Sequence, residues 1–122
     1  MKKLICHCGE VELEIKESEE ALNKFLRCNC TLCKKKGYIM TFAPITDVKI
    51  TKGEDKLKLY QYHTKVAEHH FCSECGIYTH HKMRSRPDTF GLNVGCIDDI
   101  DQFKLENVGL NDGQNHPMDQ KK

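Results

Sequence analysis

The chain has 122 residues, 39% of them hydrophobic and none Trp, which suits one domain with a modest core that metal staples would reinforce. Lys plus Arg (19) nearly balances Asp plus Glu (18), so the net charge of +1 offers no basic stripe for nucleic acid. No run approaches the ~20 apolar residues of a membrane span, and Met1-Lys2-Lys3-Leu4-Ile5-Cys6 has too short an apolar run for a signal peptide. The expectation is a cytoplasmic protein in a reducing setting, where cysteines read as metal or redox ligands rather than disulfides.

Taken in chain order, Val11, Leu13 and Ile15 alternate with Glu12 and Glu14, the period of a half-buried strand. Glu17 to Leu26 reads as a short helix or as a loop feeding a strand. Thr31 to Lys36 suits one helical turn, ended by Gly37. Tyr38, Met40 and Phe42 alternate before Pro44 and predict a strand. Val48 and Ile50 predict one arm of a hairpin, Lys52 to Asp55 its turn, and Leu57 and Leu59 the return. Val66 to Phe71 and Ile77 to Lys82 read as strands flanking Cys72 to Gly76, and Arg86-Pro87-Asp88 as a turn. Phe90, Leu92 and Val94 predict a further strand, and Phe103 to Leu110 a last one. Residues 1–110 then form the domain, and 111–122 a polar C-terminal tail. Many short strands separated by turns predict a mainly β, antiparallel domain.

The eight cysteines fall into clusters: Cys6-His7-Cys8-Gly9, Cys28-Asn29-Cys30-Thr31-Leu32-Cys33, Cys72-Ser73-Glu74-Cys75-Gly76, and Cys96 alone. A C-x-C or C-x-x-C pair followed by Gly outlines a zinc knuckle, because the turn aims both sulfurs at one ion and Gly supplies positive φ. Cys28, Cys30 and Cys33 place three ligands within six residues, so one turn can wrap them around an ion and leave a fourth position open. Spacing alone leaves the pairing of clusters open: Cys28 and Cys30 could instead join Cys72 and Cys75. His7, between two cysteines, should point away from their metal. Cys96 reads as a small buried residue, with a remote fourth metal ligand as the alternative. Among His69, His70, His80 and His81, one could reach a metal or shuttle protons. Lys34, Lys35 and Lys36 read mainly as a solvated face.

Four motifs in order, Cys6 to Val11, Cys28 to Cys33, Phe71 to Gly76 and Asn93 to Cys96, resemble the glutathione-dependent formaldehyde-activating (GFA/CENP-V) family over residues 4 to about 100. The resemblance implies the Mss4-like β-tent, antiparallel strands stapled by zinc. It implies two Zn²⁺ per chain, a structural one on Cys6, Cys8, Cys72 and Cys75 and a catalytic one on Cys28, Cys30 and Cys33. It further implies a carbon–sulfur lyase of the S-(hydroxymethyl)glutathione synthase type, joining or cleaving a thiol such as glutathione and an aldehyde. Glutathione carries two carboxylates, for which Arg27 and Lys34 beside the cluster are the candidate partners. The family often carries Trp and other aromatic residues towards its C-terminus, whereas this chain has no Trp. Two other functions fit the cysteines: a non-catalytic zinc-binding interaction module, and a thiol or metal redox sensor.

Overall fold

The computed structural model describes residues 1–19, 21–62, 65–83 and 86–111. Ten strands and one short helix follow one another: β1 (Lys2–Ile5), β2 (Glu12–Ile15), β3 (Leu26–Cys28), α1 (Thr31–Lys36), β4 (Met40–Pro44), β5 (Val48–Lys52), β6 (Leu57–Tyr60), β7 (Glu68–Cys72), β8 (Tyr78–Lys82), β9 (Thr89–Asn93) and β10 (Gly109–Asn111). They build a three-stranded sheet in the order β1-β2-β5 and a seven-stranded sheet in the order β10-β3-β4-β9-β8-β7-β6. The protein is therefore mainly β, with antiparallel pairing throughout except at one edge, where β10 runs parallel to β3. This is the architecture expected of a zinc-stapled Mss4-like tent.

The alternation in β2 does what its pattern predicts. Leu13 and Ile15 are fully buried while Glu12 and Glu14 stay half-buried on the other face. Together with Leu4 and Val11 they meet Ala43 of β4, Leu92 of β9 and Ile97, forming the main core between the sheets. A second, smaller apolar cluster lies around Cys33, Tyr38, Met40 and Tyr78. β8 contributes Tyr78 to the smaller cluster, and four of its five residues are buried, as befits a strand covered on both faces.

One open alternative is decided and two local expectations are corrected. Glu17 to Leu26 contains no helix among its described residues; Leu22 takes a φ of 59°, which a right-handed helix cannot hold, and the loop delivers the chain into β3. The hairpin expected around Gly53 does not form. β5 pairs with β2 and β6 with β7, so the two arms belong to different sheets. The chain corners there because Gly53 lies against the Glu10 carbonyl; a β-carbon at Gly53 would sit 1.9 Å from that oxygen. Finally, the stretch from Phe103 to Leu110 supplies only the short β10, after a 3-10 turn at Gln102–Lys104. Asn111 closes β10, and the rest of the expected tail, residues 112–122, lies outside the described residues.

Candidate metal centres

Two tight turns carry the first group of cysteines. Cys6, Cys8 and Gly9 occupy the turn between β1 and β2, where the Gly9 N–H donates to the Cys6 carbonyl at 3.2 Å. Cys72, Cys75 and Gly76 occupy the turn between β7 and β8, where the Gly76 N–H donates to the Cys72 carbonyl at 2.8 Å. Both glycines adopt positive φ, 82° and 75°, as the knuckle pattern requires. The two turns face each other, although β1 and β7 belong to different sheets. All four sulfurs lie within 4.8 Å of one another. Cys6 Sγ is 3.7 Å from Cys8 Sγ, which is 3.7 Å from Cys72 Sγ. Sulfurs at the corners of a tetrahedron about zinc, each ~2.3 Å from the ion, would stand about 3.8 Å apart. A disulfide would need ~2.05 Å. The spacing therefore fits a four-coordinate metal.

The sulfurs are also electronically prepared. The Val11 N–H donates to Cys6 Sγ at 3.3 Å. For Cys8, the Glu10 N–H favours the thiolate, but desolvation and the sulfurs of Cys6, Cys72 and Cys75 outweigh it and push the thiol up to about 12. Desolvation also opposes ionisation of Cys75, yet N–H groups of Cys8 and Ile77 and the neighbouring thiols bring it down to about 6. Cys75 thus ionises readily while Cys8 holds its proton, the behaviour of crowded like charges that a cation would relieve.

The second group wraps around the start of α1. Cys28 ends β3, Cys30 caps the helix, and Cys33 lies on its buried side. Cys30 Sγ takes the place of the usual hydroxyl cap, accepting the Cys33 N–H at 3.4 Å. Gly37 ends the helix in the left-handed region, and its N–H donates to the Cys33 carbonyl at 3.0 Å. The three sulfurs lie within 4.8 Å of one another. Hydrogen bonds from Cys30 and Cys33 hold Cys28 well below the ordinary thiol range, helped by the Asn111 amide at 3.5 Å. The same contacts, with burial, hold Cys33 well above it. Among the described residues no fourth protein ligand joins these three, so a metal held here would keep a coordination position for another molecule.

Behind Cys33 runs a line of buried hydroxyl and imidazole groups. Cys33 Sγ lies 3.6 Å from the Tyr38 hydroxyl, and Tyr38 donates to the Tyr78 hydroxyl at 3.3 Å. The Tyr78 hydroxyl in turn contacts His81 Nδ1. His81 is held neutral, at about 3, chiefly by burial and then by the charges of His69 and Lys36, so Nδ1 can accept from Tyr78. Burial raises Tyr78 well above its ordinary value.

The other residues singled out from the sequence spread over several places. Arg27 on β3 and Lys34 on α1 are both exposed. Lys36, treated with its neighbours as a solvated face, turns inward instead and sets its ammonium 3.4 Å from the centre of the Tyr78 ring. His7 is exposed and joins neither cysteine group. Cys96 is buried, donates to the Tyr78 carbonyl at 3.7 Å, and is pushed up to about 12, first by desolvation. The four histidines stack across β7 and β8, His70 on His80 and His69 on His81. Tyr38, Tyr78 and Lys36 were missed as site residues. The available signal was helical spacing, which puts Lys36 one turn beyond Cys33.

A β tent carrying two cysteine groups, each able to hold a metal ion, is the class that fold and site define. The family model for the glutathione-dependent formaldehyde-activating enzyme matches residues 1–108, and the chain belongs to that family. Among curated proteins it is 26% identical over 95 residues to a putative glutathione-dependent formaldehyde-activating enzyme of Emericella nidulans. That match covers 75% of this chain but 47% of the fungal protein, so the chain spans about half its relative's length. Among solved structures it is similar to a Rhodobacter sphaeroides protein, with 38% identity and a TM-score of 0.83 over 89% of this chain and 99% of that one.

Proposed function

We propose that the protein is a zinc-dependent carbon–sulfur lyase that joins a thiol, glutathione or a similar one, to an aldehyde, or cleaves the adduct. The observation that carries this reading is the three-sulfur group of Cys28, Cys30 and Cys33, compact enough for one ion and without a fourth protein ligand among the described residues. Membership of the family supports glutathione and formaldehyde as the substrate pair. In this reading Cys6, Cys8, Cys72 and Cys75 hold a structural Zn²⁺, and Cys28, Cys30 and Cys33 hold the working one. The free thiols of all eight cysteines suit a reducing compartment such as the cytoplasm.

When bound, zinc favours the thiolate form of a coordinated thiol and polarises a carbonyl oxygen. In the addition, the substrate thiol loses its proton and its sulfur forms a bond to the aldehyde carbon. The carbon–oxygen π bond breaks, and the oxygen takes up one proton to give a hydroxyl. The chain's own residues orient the ligands: Asn111 donates to Cys28, and Tyr38 lies against Cys33. Second-sphere contacts of this kind set ligand direction and basicity.

Cobalt substitution tests the reading. Full-length protein loaded with Co²⁺ should take two metals per chain, and glutathione should alter the visible bands of one of them. The same protein should speed formation of the formaldehyde adduct in a rate assay. A single metal, or two that ignore thiol, refutes the lyase and favours an interaction module. Reversible oxidative loss of one metal, without rate enhancement, favours a redox sensor.

A further inference from the structure

A second cleft, of about 320 Å³, opens between α1 and the β7–β8 pair and is lined by Lys36, Tyr60, His69, Phe71, Gly76 and Tyr78. Its size lies at the lower end of small-ligand pockets, roughly 300–1,000 Å³. None of the cysteines lines it.

Two polar groups in this cleft lack the partners their burial calls for. Lys36 has no carboxylate within ion-pair distance among the described residues, and its ammonium rests on aromatic rings, 3.4 Å from the Tyr78 centroid and 5.8 Å from that of Tyr38. Burial lowers it to about 8, with Cys33 and Cys30 opposing. His69 is only 6% exposed, and its Nδ1 is buried without a hydrogen-bond partner among the described residues. Stacking on Tyr62 at 5.9 Å and on His81 at 5.5 Å fixes that ring. Desolvation first, then the charge on Lys36, holds His69 at about 4, so the ring is neutral. An ammonium without a carboxylate partner calls for an anion in this cleft, while the His69 ring, its Nδ1 closed off from solvent, forms part of the wall. The remaining walls, from Tyr60, Phe71 and Tyr78, call for an apolar body.

We propose that this cleft binds a small carboxylate with an apolar body, its carboxylate on Lys36 and its body against the surrounding rings, and that it thereby sets the substrate class of the three-cysteine site beside it. The second clause rests on the function proposed above. The two sites are joined through shared parts: Lys36 lies on the same short helix as Cys33, and the Tyr78 ring in the cleft wall reaches Cys33 through the Tyr38 hydroxyl. A thiol or aldehyde carrying such a carboxylate would therefore be anchored next to the cysteines. A cation on the ligand would be repelled by Lys36, and a purely apolar molecule would leave Lys36 unmatched.

Binding is tested on the zinc-loaded full chain by NMR titration with benzoate and, as its neutral counterpart, benzyl alcohol. Benzoate should saturate at sub-millimolar concentration and move the His69 ring and Lys36 side-chain signals. Benzyl alcohol should bind at least about tenfold more weakly, and Lys36→Met should weaken benzoate by about tenfold or more, while Lys35→Met leaves it unchanged. Absence of saturable benzoate binding to the unaltered protein overturns the proposal, as does equal affinity for the two probes. In a second arm, the cobalt-loaded protein is titrated with mercaptohexanoate and mercaptohexanol. Mercaptohexanoate should change the bands at about tenfold lower concentration, an advantage that Lys36→Met removes. If benzoate binds but neither thiol moves the bands, the function proposed above falls and the link to the cysteine site falls with it, while the carboxylate cleft stands. If the thiols move the bands equally and benzoate does not bind, the cleft is overturned and the metal chemistry stands.

Discussion

The Tyr38 hydroxyl lies 3.6 Å from Cys33 Sγ and passes its own hydrogen bond on to Tyr78, 3.3 Å away. In the thiol form the donors run in one direction, from Cys33 through Tyr38 and Tyr78 to His81. With the sulfur ionised on a metal, Tyr38 can turn its proton back to the sulfur and share the charge. Tyr38→Phe keeps the ring contact with Tyr78, whose centroid is 4.6 Å away, and removes only the hydroxyl. The expected result is a loss of about 10–100-fold in metal affinity at the three-cysteine group. Chelator competition measures it. The thermal midpoint should change little, and an unchanged metal affinity would show that the hydroxyl plays no part.

Gly91 makes room for the far end of that line. A β-carbon on Gly91 would stand 2.0 Å from Cε1 of His81, whose ring is buried and stacked on His69. Gly91 is also paired directly with His81 across β8 and β9, so strand separation cannot relieve the clash. Gly91→Ala should therefore destabilise the domain by about 1–3 kcal/mol, the usual cost of overpacking. Urea unfolding with excess zinc reads that loss. A variant as stable as the parent would mean that the ring can move aside.

Acid should weaken the fold through the buried histidines. Burial depresses His80 to about 3 and His81 to about 3, below the 6.5 of an unfolded histidine. The folded protein thus refuses protons that the unfolded chain accepts. Stability from this source is complete above pH ~6.5 and is lost as pH falls through the folded values. Each such group contributes a slope of up to about 1.4 kcal/mol per pH unit in that window. Cysteine protonation and metal release add to the acid sensitivity, so a variant isolates the histidine share. His80 packs face to face with His70 and edge to face with Phe90, contacts that Phe can reproduce. His80→Phe should flatten the slope of urea-derived stability between pH ~6 and ~4.5, and an unaltered slope would remove His80 from the account.

The sequence made some of this legible and hid the rest for physical reasons. Leu13 and Ile15 announce β2 through alternation, and Gly37 announces the end of α1, because both signals are local. The partner of β5 is not local: Val48 and Ile50 look alike whether they meet Leu57 or Leu13, and Gly53 against Glu10 decides it. The knuckle spacings outline two metal-binding turns, yet only the fold brings Cys8 within 3.7 Å of Cys72. Lys36 was hidden among three lysines, because a charge run reads as a solvated face and only the spacing of one turn from Cys33 marks the member that the six-residue helix turns inward. Tyr38 and Tyr78 are ordinary strand tyrosines until β4 and β8 place their hydroxyls together.

The two cysteine groups should respond differently to the same substitution. Cys6 and Cys8 lie on the small sheet's turn, Cys72 and Cys75 on the large sheet's, so their metal would clamp the sheets together. Structural zinc contributes about 10–16 kcal/mol of apparent binding energy in small peptides, comparable with the whole stability of a domain, ~5–15 kcal/mol. Cys75→Ala should therefore abolish the cooperative thermal transition seen by circular dichroism. Cys28, Cys30 and Cys33 span one strand end and one helical turn, and β3 is tied to β4 and β10 by backbone pairing rather than through the cysteines. Cys28→Ala should leave a folded protein with a similar transition that binds one metal in place of two. A Cys75→Ala protein that melts like the parent would remove the clamp from the argument, and a Cys28→Ala protein that fails to fold would make the three-cysteine group structural as well.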